Sequence, residues 1–448
     1  MPDQPRSLLR HPDFLKLWVG ETVSVFGSQV TQLAVPLIAA TVLNVTAFEF
    51  GLLNTVEMLP FILLSLPAGV WVDRLRRRPI LIVADLGRAA AIATIPLAFA
   101  LNALTIWQLY AVGAVVGCFT VFFDVAYQSY LPSIVERDQL VEGNGKLEIT
   151  RSASQILGPG MAGILIGVLR APFAMVLDTL SYLWSVAFVA WIHRAEPTVE
   201  PHDEAVHGPK PSMRSEMATG LRYVLGHRWL RSIAATTGLS NLFTGISGAI
   251  LVLYLVRERA LSAEQIGVTF SIGSVGVLLA ALVTSAVTRR LGVGRMLVLS
   301  ALGFSLAGLV IPVAPDAVIM PAVAASGFIM GFAGVSWNIN QVSLRQAITP
   351  QRMQGRMNAS MRFIVWGTIP LGSITGGALG SLIGLHQTIW VAAIGGLVAF
   401  LPVALSPVRA IREMPSANDG ATASADRGGA GAAESAPARD RVADEATT

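Results

Sequence analysis

Runs of mostly apolar residues alternate with short polar or basic breaks from near the N-terminus to about residue 408. A helix needs about 20 such residues to cross the hydrocarbon core of a bilayer. The pattern predicts twelve helical spans, at roughly 14–43, 49–72, 79–101, 105–129, 150–170, 172–193, 230–256, 264–288, 296–313, 316–343, 359–383 and 387–407. Glycine and proline inside these runs are compatible with helix, because neighbouring helices satisfy the freed backbone groups. Two stretches break the pattern. Residues 194–229 carry Pro197, Pro201, Pro209 and Pro211 among charges. They read as a central loop with a short amphipathic helix around Met213–Leu225. Residues 409–448 almost lack large apolar side chains, so that tail cannot bury enough surface to fold and is expected to be disordered.

The expectation is an all-α membrane protein of two pseudo-symmetric six-helix bundles. Its organisation is an N-terminal segment 1–13, a bundle 14–193, the loop 194–229, a second bundle 230–408 and the tail 409–448. Composition agrees: 53% of the 448 residues are hydrophobic and only 13% are charged. One soluble core could not hide that much apolar surface.

Charge then sets the topology. The net charge is +4, but the basic residues punctuate apolar runs and form no single patch, which speaks against nucleic acid. With the N-terminus in the cytoplasm, that side collects Lys16, the cluster Arg74–Arg78, Lys146, Arg151, the central loop, Arg289, Arg290, Arg345, Arg356 and Arg362. The other side keeps Arg170, Arg257 and Arg259. The excess of positive charge predicts both termini on the cytoplasmic side of the plasma (inner) membrane. The first apolar run is too long for a cleavable signal peptide and lacks a small-residue cleavage site. The single cysteine, Cys118, excludes a disulfide framework. No metal-ligand cluster, P-loop or hydrolase motif is visible, so no metal, cofactor or enzymatic activity is expected.

The two halves repeat at an offset of about 215 residues. Gly51 falls on Gly267, Asp73–Arg74–Leu75 on Arg289–Arg290–Leu291, Asn144 on Asn358, Gly158 on Gly372 and Ser24 on Ser240. Such duplication is the mark of a transporter in which one half rocks against the other.

Three motifs carry a family resemblance. Gly69–Val70–Trp71–Val72–Asp73–Arg74, followed by Arg77–Arg78, resembles the loop after the second span of the major facilitator superfamily. Arg76 stands where that loop has a glycine. Leu131–Pro132–Ser133–Ile134–Val135 with Asn144 resembles the drug-exporting branch that holds macrolide and siderophore exporters. Gly158–Pro159–Gly160–Met161–Ala162–Gly163 is similar to the glycine–proline motif on the fifth helix of antiporters. The resemblance implies a secondary transporter in which substrate leaves the cytoplasm as a proton enters. It also implies that Gly69, Asp73, Arg74, Arg77 and Arg78 form a cytoplasmic gate, Asp73 facing the start of the eleventh helix. A topology anchor is the plainer role for the arginines.

Several polar residues inside the spans are candidates for coupling or substrate contact. Glu57 lies about 12 Å into the second span at 1.5 Å per residue, and an acid at such depth is a functional candidate by default. Asn54 is one turn before it. Glu21, Ser24, Ser28 and Gln32 recur on one face of the first span, and Ser240, Thr244 and Ser247 repeat the stripe in the seventh. They are expected to line a central cavity, with Glu21 close enough to the interface to snorkel. Asp124 is a third candidate for coupling, beside a structural reading that also covers Asp178 and the local pair Asp85 and Arg88. Asn338, Asn340 and Gln341 are candidates for substrate contact on the tenth span. Gly158, Pro159 and Gly163 are expected to pack the fifth helix closely against its neighbours.

The reading is thus a proton-coupled efflux antiporter for drugs or amphipathic metabolites. Its expected partners are the lipid bilayer, a small-molecule substrate and protons, with no nucleic acid and no obligate protein. A dedicated exporter of one siderophore or lysolipid is the near alternative. A membrane-embedded enzyme and a passive channel are remote ones.

Overall fold

The computed structural model describes Leu8 and residues 11–136, 139–193 and 213–413. Most of the N-terminal segment, most of the central loop and the tail beyond residue 413 lie outside the described residues. So do the side chains of Asp73 and Arg74. Among the described residues twelve helices are long and apolar enough to cross a membrane. These are spans 1 to 12: Pro12–Val42, Ala47–Ser65, Arg77–Ala100, Ile106–Ile134, Glu142–Leu169, Ala171–Ala190, Arg228–Arg257, Ala263–Leu291, Val293–Val313, Asp316–Ile348, Met353–Ile383 and Leu385–Ala404. The helix of span 2 continues to Arg74. Each expected span is present, and the helix expected in the central loop forms at Met213–Gly226. It lies against span 11, where Gly220 lets it approach the backbone of Arg356.

Two boundaries moved for a physical reason. Span 4 runs on to Ile134 because Tyr130, Leu131 and Ile134 stay buried in the core. The helix of span 5 starts at Leu140, ahead of the expected 150. Its polar first turns are accommodated by a Glu142–Lys146 pair at 3.5 Å and by Thr150, which accepts from Trp18 Nε1 at 2.9 Å. Arg151, expected at the cytoplasmic boundary, is therefore inside the span.

The packing repeats along with the sequence. Span 1 packs on 5 and 6, span 3 on 4 and 6, and span 2 on 4. Span 7 packs on 11 and 12, span 9 on 10 and 12, and span 8 on 10. The halves meet where span 2 packs on 11 and span 5 on 8, contacts that exchange under the same repeat. The turns repeat too. Thr46 and Ser262 each close a capping box at the start of spans 2 and 8, which satisfies helix N–H groups reciprocally. Arg170 and Gly384 take positive φ at the matching turns before spans 6 and 12.

Span 1 begins and span 12 ends at the same face, the termini face; the other is the far face. The halves are joined at the far face. There Gly51 meets Gly377 between spans 2 and 11, and Gly163 meets Gly267 between spans 5 and 8. A Cβ on Gly267 would lie 2.3 Å from the Pro159 carbonyl, and one on Gly51 would lie 2.5 Å from the Ser373 carbonyl. Only glycine allows that approach of backbones. Hydrogen bonds from Phe48 N–H to Ser381 Oγ (2.9 Å), from Gly160 N–H to Ser271 Oγ (2.7 Å) and from Arg257 to the Ala40 carbonyl (3.2 Å) also cross between the halves. One apolar cluster runs through both halves here, including Ile38, Phe50, Ile250 and Ile266. Toward the termini face the core divides in two. Leu17, Leu81 and Tyr130 belong to a first-half cluster, and Leu230, Leu297 and Leu344 to a second-half one. Gly69 on helix 2 and Gly367 on span 11 have open space where a Cβ would stand.

Candidate transport site

The open end holds a chain of cavities. A crevice of about 250 Å³ separates spans 2 and 11, lined by Phe61, Ser65, Phe363 and Trp366. Through Asn358, Arg362 and Trp366 it shares its wall with a cavity of about 470 Å³ in the second half, whose lining includes Ser240, Asn241, Trp337, Asn338, Gln341 and Arg345. Ser240 and Phe304 continue the wall into a pocket of about 130 Å³ bordered by Thr244, Ser247 and Ser326. That pocket shares Leu251 and Met330 with a further cavity of about 470 Å³ that lies between the halves. Gln29 and Gln32 of span 1 and Gln155 of span 5 face Thr269 and Ser274 of span 8 across it.

The first half holds a layer of buried charge. Arg88 forms an ion pair with Asp85 three residues earlier; Asp85 is fully buried and the arginine side chain is 6% exposed. The guanidinium lies between the rings of Phe123 and Tyr182, 4.1 Å and 4.4 Å from their centroids. Tyr182 in turn bonds Ser28 at 2.9 Å, and Asp178 accepts from Thr31 and Ser181. Glu21 is 7% exposed, and Asp85, Arg88, Arg151 and Asp124 all act on it electrostatically. These groups come from spans 1, 3, 4 and 5, each about 12–17 Å from its termini-face end at 1.5 Å per residue. Arg151 also lines a separate cavity of about 390 Å³ between spans 4 and 5, together with Tyr127, Asn144 and Glu148.

The expected cavity stripe is split by helical phase. Gln32, Ser240, Thr244 and Asn338 line the cavities. Ser24 and Ser28 turn into the first half, where Ser28 bonds the Ser24 carbonyl as well as Tyr182. Asn340 is also turned away: its amide donates to the Ser336 carbonyl at 2.9 Å, and Ser336 bonds Thr284 of span 8 at 2.8 Å. Asn54 donates to the Phe50 carbonyl. Glu57 lies against span 4, where a Cβ on Gly113 would come within 2.9 Å of its Cγ. Glu21 and Asp124 sit deeper than their expected positions, because span 1 begins at Pro12 and span 4 ends at Ile134. Glu21 is therefore buried within the electrostatic reach of Arg88 and does not snorkel. Gly158 packs on Gln29 within the first half, so of the fifth-helix motif Gly163 carries the contact to span 8. Arg78 caps the end of span 6, donating to the Val189 carbonyl at 3.1 Å and to that of Ala190. Arg77 opens span 3. The gate expected at Asp73 and Arg74 falls on side chains outside the described residues.

Gln29, Gln155 and the clustering of Arg88 and Arg151 around Glu21 were missed by sequence reasoning. A glutamine one turn before Gln32 extended the polar stripe, and it was the one available signal.

Comparison with known proteins places this geometry. The chain matches the family described as transmembrane secretion effector over residues 4–425. It is 25% identical to the multidrug efflux pump Tap of Mycolicibacterium fortuitum over 409 residues, covering 88% of this chain and 96% of that one. It is 26% identical to macrolide efflux protein A of Streptococcus pyogenes over 208 residues, 46% of this chain and 50% of that one. Among solved structures it is similar to a bacterial homologue of the iron transporter ferroportin. The inward-facing state of that homologue gives a TM-score of 0.69 at 17% identity, covering 89% of this chain and 99% of that one. The outward-facing state of that homologue gives 0.53.

Proposed function

The chain belongs to the transmembrane secretion effector family of the major facilitator transporters, a multi-pass protein of the cell membrane, and from that premise we propose that it exports amphipathic small molecules in exchange for protons. Both termini lie in the cytoplasm, and the halves 14–193 and 230–408 act as two rocking units. The observation that carries the reading is the seam between the halves. It is zipped by glycine pairs at the far face and open at the termini face. With the termini inside, this is a cytoplasm-open state, in accord with the higher TM-score to the inward-facing neighbour. Efflux is supported by the relatives, which are named as multidrug and macrolide efflux proteins. Asp73 closes the cytoplasmic side against the start of span 11 in the other state.

Proton coupling is assigned to the first-half charge layer. A carboxyl that exchanges a proton must sense a neighbouring charge and reach water. Glu21 meets the first condition through Arg88 and Arg151, and the Arg151 cavity leads toward water. Glu57 is wedged against Gly113 and ranks second. The test is uptake of an amphipathic dye into everted vesicles with an acid interior. Wild type is expected to accumulate dye against its gradient, and Glu21→Gln to lose the pH-driven part by roughly tenfold or more. Glu57→Gln is expected to keep most of it. Dye accumulation by wild type that ignores the pH gradient refutes the exchange.

A dedicated exporter of one metabolite is the second reading. The arginine- and amide-rich wall of the second-half cavity favours it.

A further inference from the structure

Charge is distributed unequally between the halves. In the first half Asp85, Glu21, Asp124 and Asp178 all act electrostatically on the buried Arg88. In the described part of the second half the acids are Glu258, Glu264, Asp316 and Glu413, each at a helix end or beyond one. Yet Arg345 of span 10 and Arg362 of span 11 both line the 470 Å³ cavity, whose lining contains no acid. Among the described residues neither arginine forms an ion pair. Unpartnered polar atoms gather on the same wall: Gln341 Oε1, with Gln341 6% exposed, Ser300 Oγ, with Ser300 4% exposed, and Arg345 Nε. Of these, Arg345 Nε and the Ser300 hydroxyl can donate, which calls for a group that accepts hydrogen bonds, and Gln341 Oε1 is an acceptor, which calls for a donor; buried groups left unpaired are costly. Beside it stand flat apolar surfaces, Trp337, Phe304 and Trp366, the last with the Arg362 guanidinium 5.8 Å from its ring. The crevice between spans 2 and 11 opens from Arg362 and Trp366 toward Phe363 on the outside of the bundle.

We propose that this cavity is a subsite for the anionic headgroup, carboxylate or phosphate, of an amphipathic substrate. Arg345 and Arg362 hold the anion. Trp337 and Trp366 hold the adjoining aromatic or alkyl body, whose remainder extends into the crevice. This names a substrate class for the exporter reading and rests on it, but binding is measured here without transport. A guanidinium fork suits both anions, since either accepts two parallel hydrogen bonds.

The test uses the full chain in nanodiscs of zwitterionic lipid with no ion gradient. Energy transfer from tryptophan to pyrene reads the binding of pyrenebutyrate, pyrenebutanol and pyrenemethylammonium. Wild type is expected to bind the anion more tightly than the alcohol or the cation. Arg362→Gln and Arg345→Gln should each weaken pyrenebutyrate about tenfold to a hundredfold, the worth of a charge-assisted hydrogen bond. Both should leave pyrenebutanol unchanged, and Arg362→Lys should keep part of the anion's advantage. Displacement by lysophosphatidylglycerol assigns the subsite to a lipid headgroup, and displacement by naphthyl phosphate alone to a water-borne anion. Equal binding of the three pyrenes by wild type, or loss of all three together in both glutamine variants, overturns the proposal. Because no gradient is imposed, failure of proton exchange leaves this result standing, and the reverse holds too.

Discussion

Valine at Gly267 is expected to break the far-face closure and to stop transport while the protein still inserts. The clash is with backbone and not with a flexible side chain. The added Cβ would lie 2.3 Å from the Pro159 carbonyl and 2.9 Å from Gly163 Cα. Overpacking of this kind costs about 1–3 kcal/mol or more, and each 1.4 kcal/mol changes a two-state ratio about tenfold. The state open at the termini face should therefore lose roughly ten- to a hundredfold in population. Gly51→Val, its counterpart under the repeat, should do the same at the other seam. Gly367→Val is the contrasting variant, because a Cβ there meets open space. It should leave this state intact and hinder closure of the termini face. The readout is labelling of Ser240→Cys by an impermeant maleimide in a Cys118→Ser background. Labelling from the termini face should fall in Gly267→Val and persist in Gly367→Val. Equal labelling in all variants would mean that the seams do not control access.

The second large effect is expected at Arg88. Removing the guanidinium by Arg88→Gln leaves the fully buried Asp85 without its ion-pair partner. Breaking one side of a buried pair costs about 3–5 kcal/mol, far more than replacing both sides. Arg88→Gln should thus lower the melting temperature and the yield of folded protein. Asp85→Asn with Arg88→Gln should recover much of the loss. A single variant as stable as wild type in detergent melts, or a double variant worse than the single one, would show that the pair does not anchor the charge layer.

How much of this was legible beforehand depends on what each residue answers to. Hydropathy alone gave the twelve spans, because lipid demands long apolar helices wherever the chain crosses. The repeat was legible because Gly51 and Gly267 sit at matching seams, where only glycine fits. The small helix Met213–Gly226 showed in its amphipathic spacing. Arg151 was misplaced because hydropathy marks where polar residues begin, not where a helix begins; a helix continues through Glu142 and Lys146 when they pair. Asn338 and Asn340 look equivalent in sequence but are about 200° apart around the helix at 3.6 residues per turn. The first lines the cavity and the second bonds Ser336. The charge layer was the least legible feature. Glu21, Asp85, Arg88, Asp124 and Arg151 come from four helices, and only helix packing brings them to one depth. The uncompensated Arg345 and Arg362 were hidden for the opposite reason: read as loop charges, they counted toward topology and not toward a site.

The central claim is that the far-face seam opens once in every transport cycle. The measurement that tests it most directly is transport before and after a reversible crosslink across that seam. The backbone of Phe48 meets Ser381 between the halves, Phe48 N–H donating to Ser381 Oγ at 2.9 Å. Phe48→Cys with Ser381→Cys, in the Cys118→Ser background, should transport when reduced, stop when oxidised and recover when reduced again. Undiminished transport by fully crosslinked protein would contradict the account.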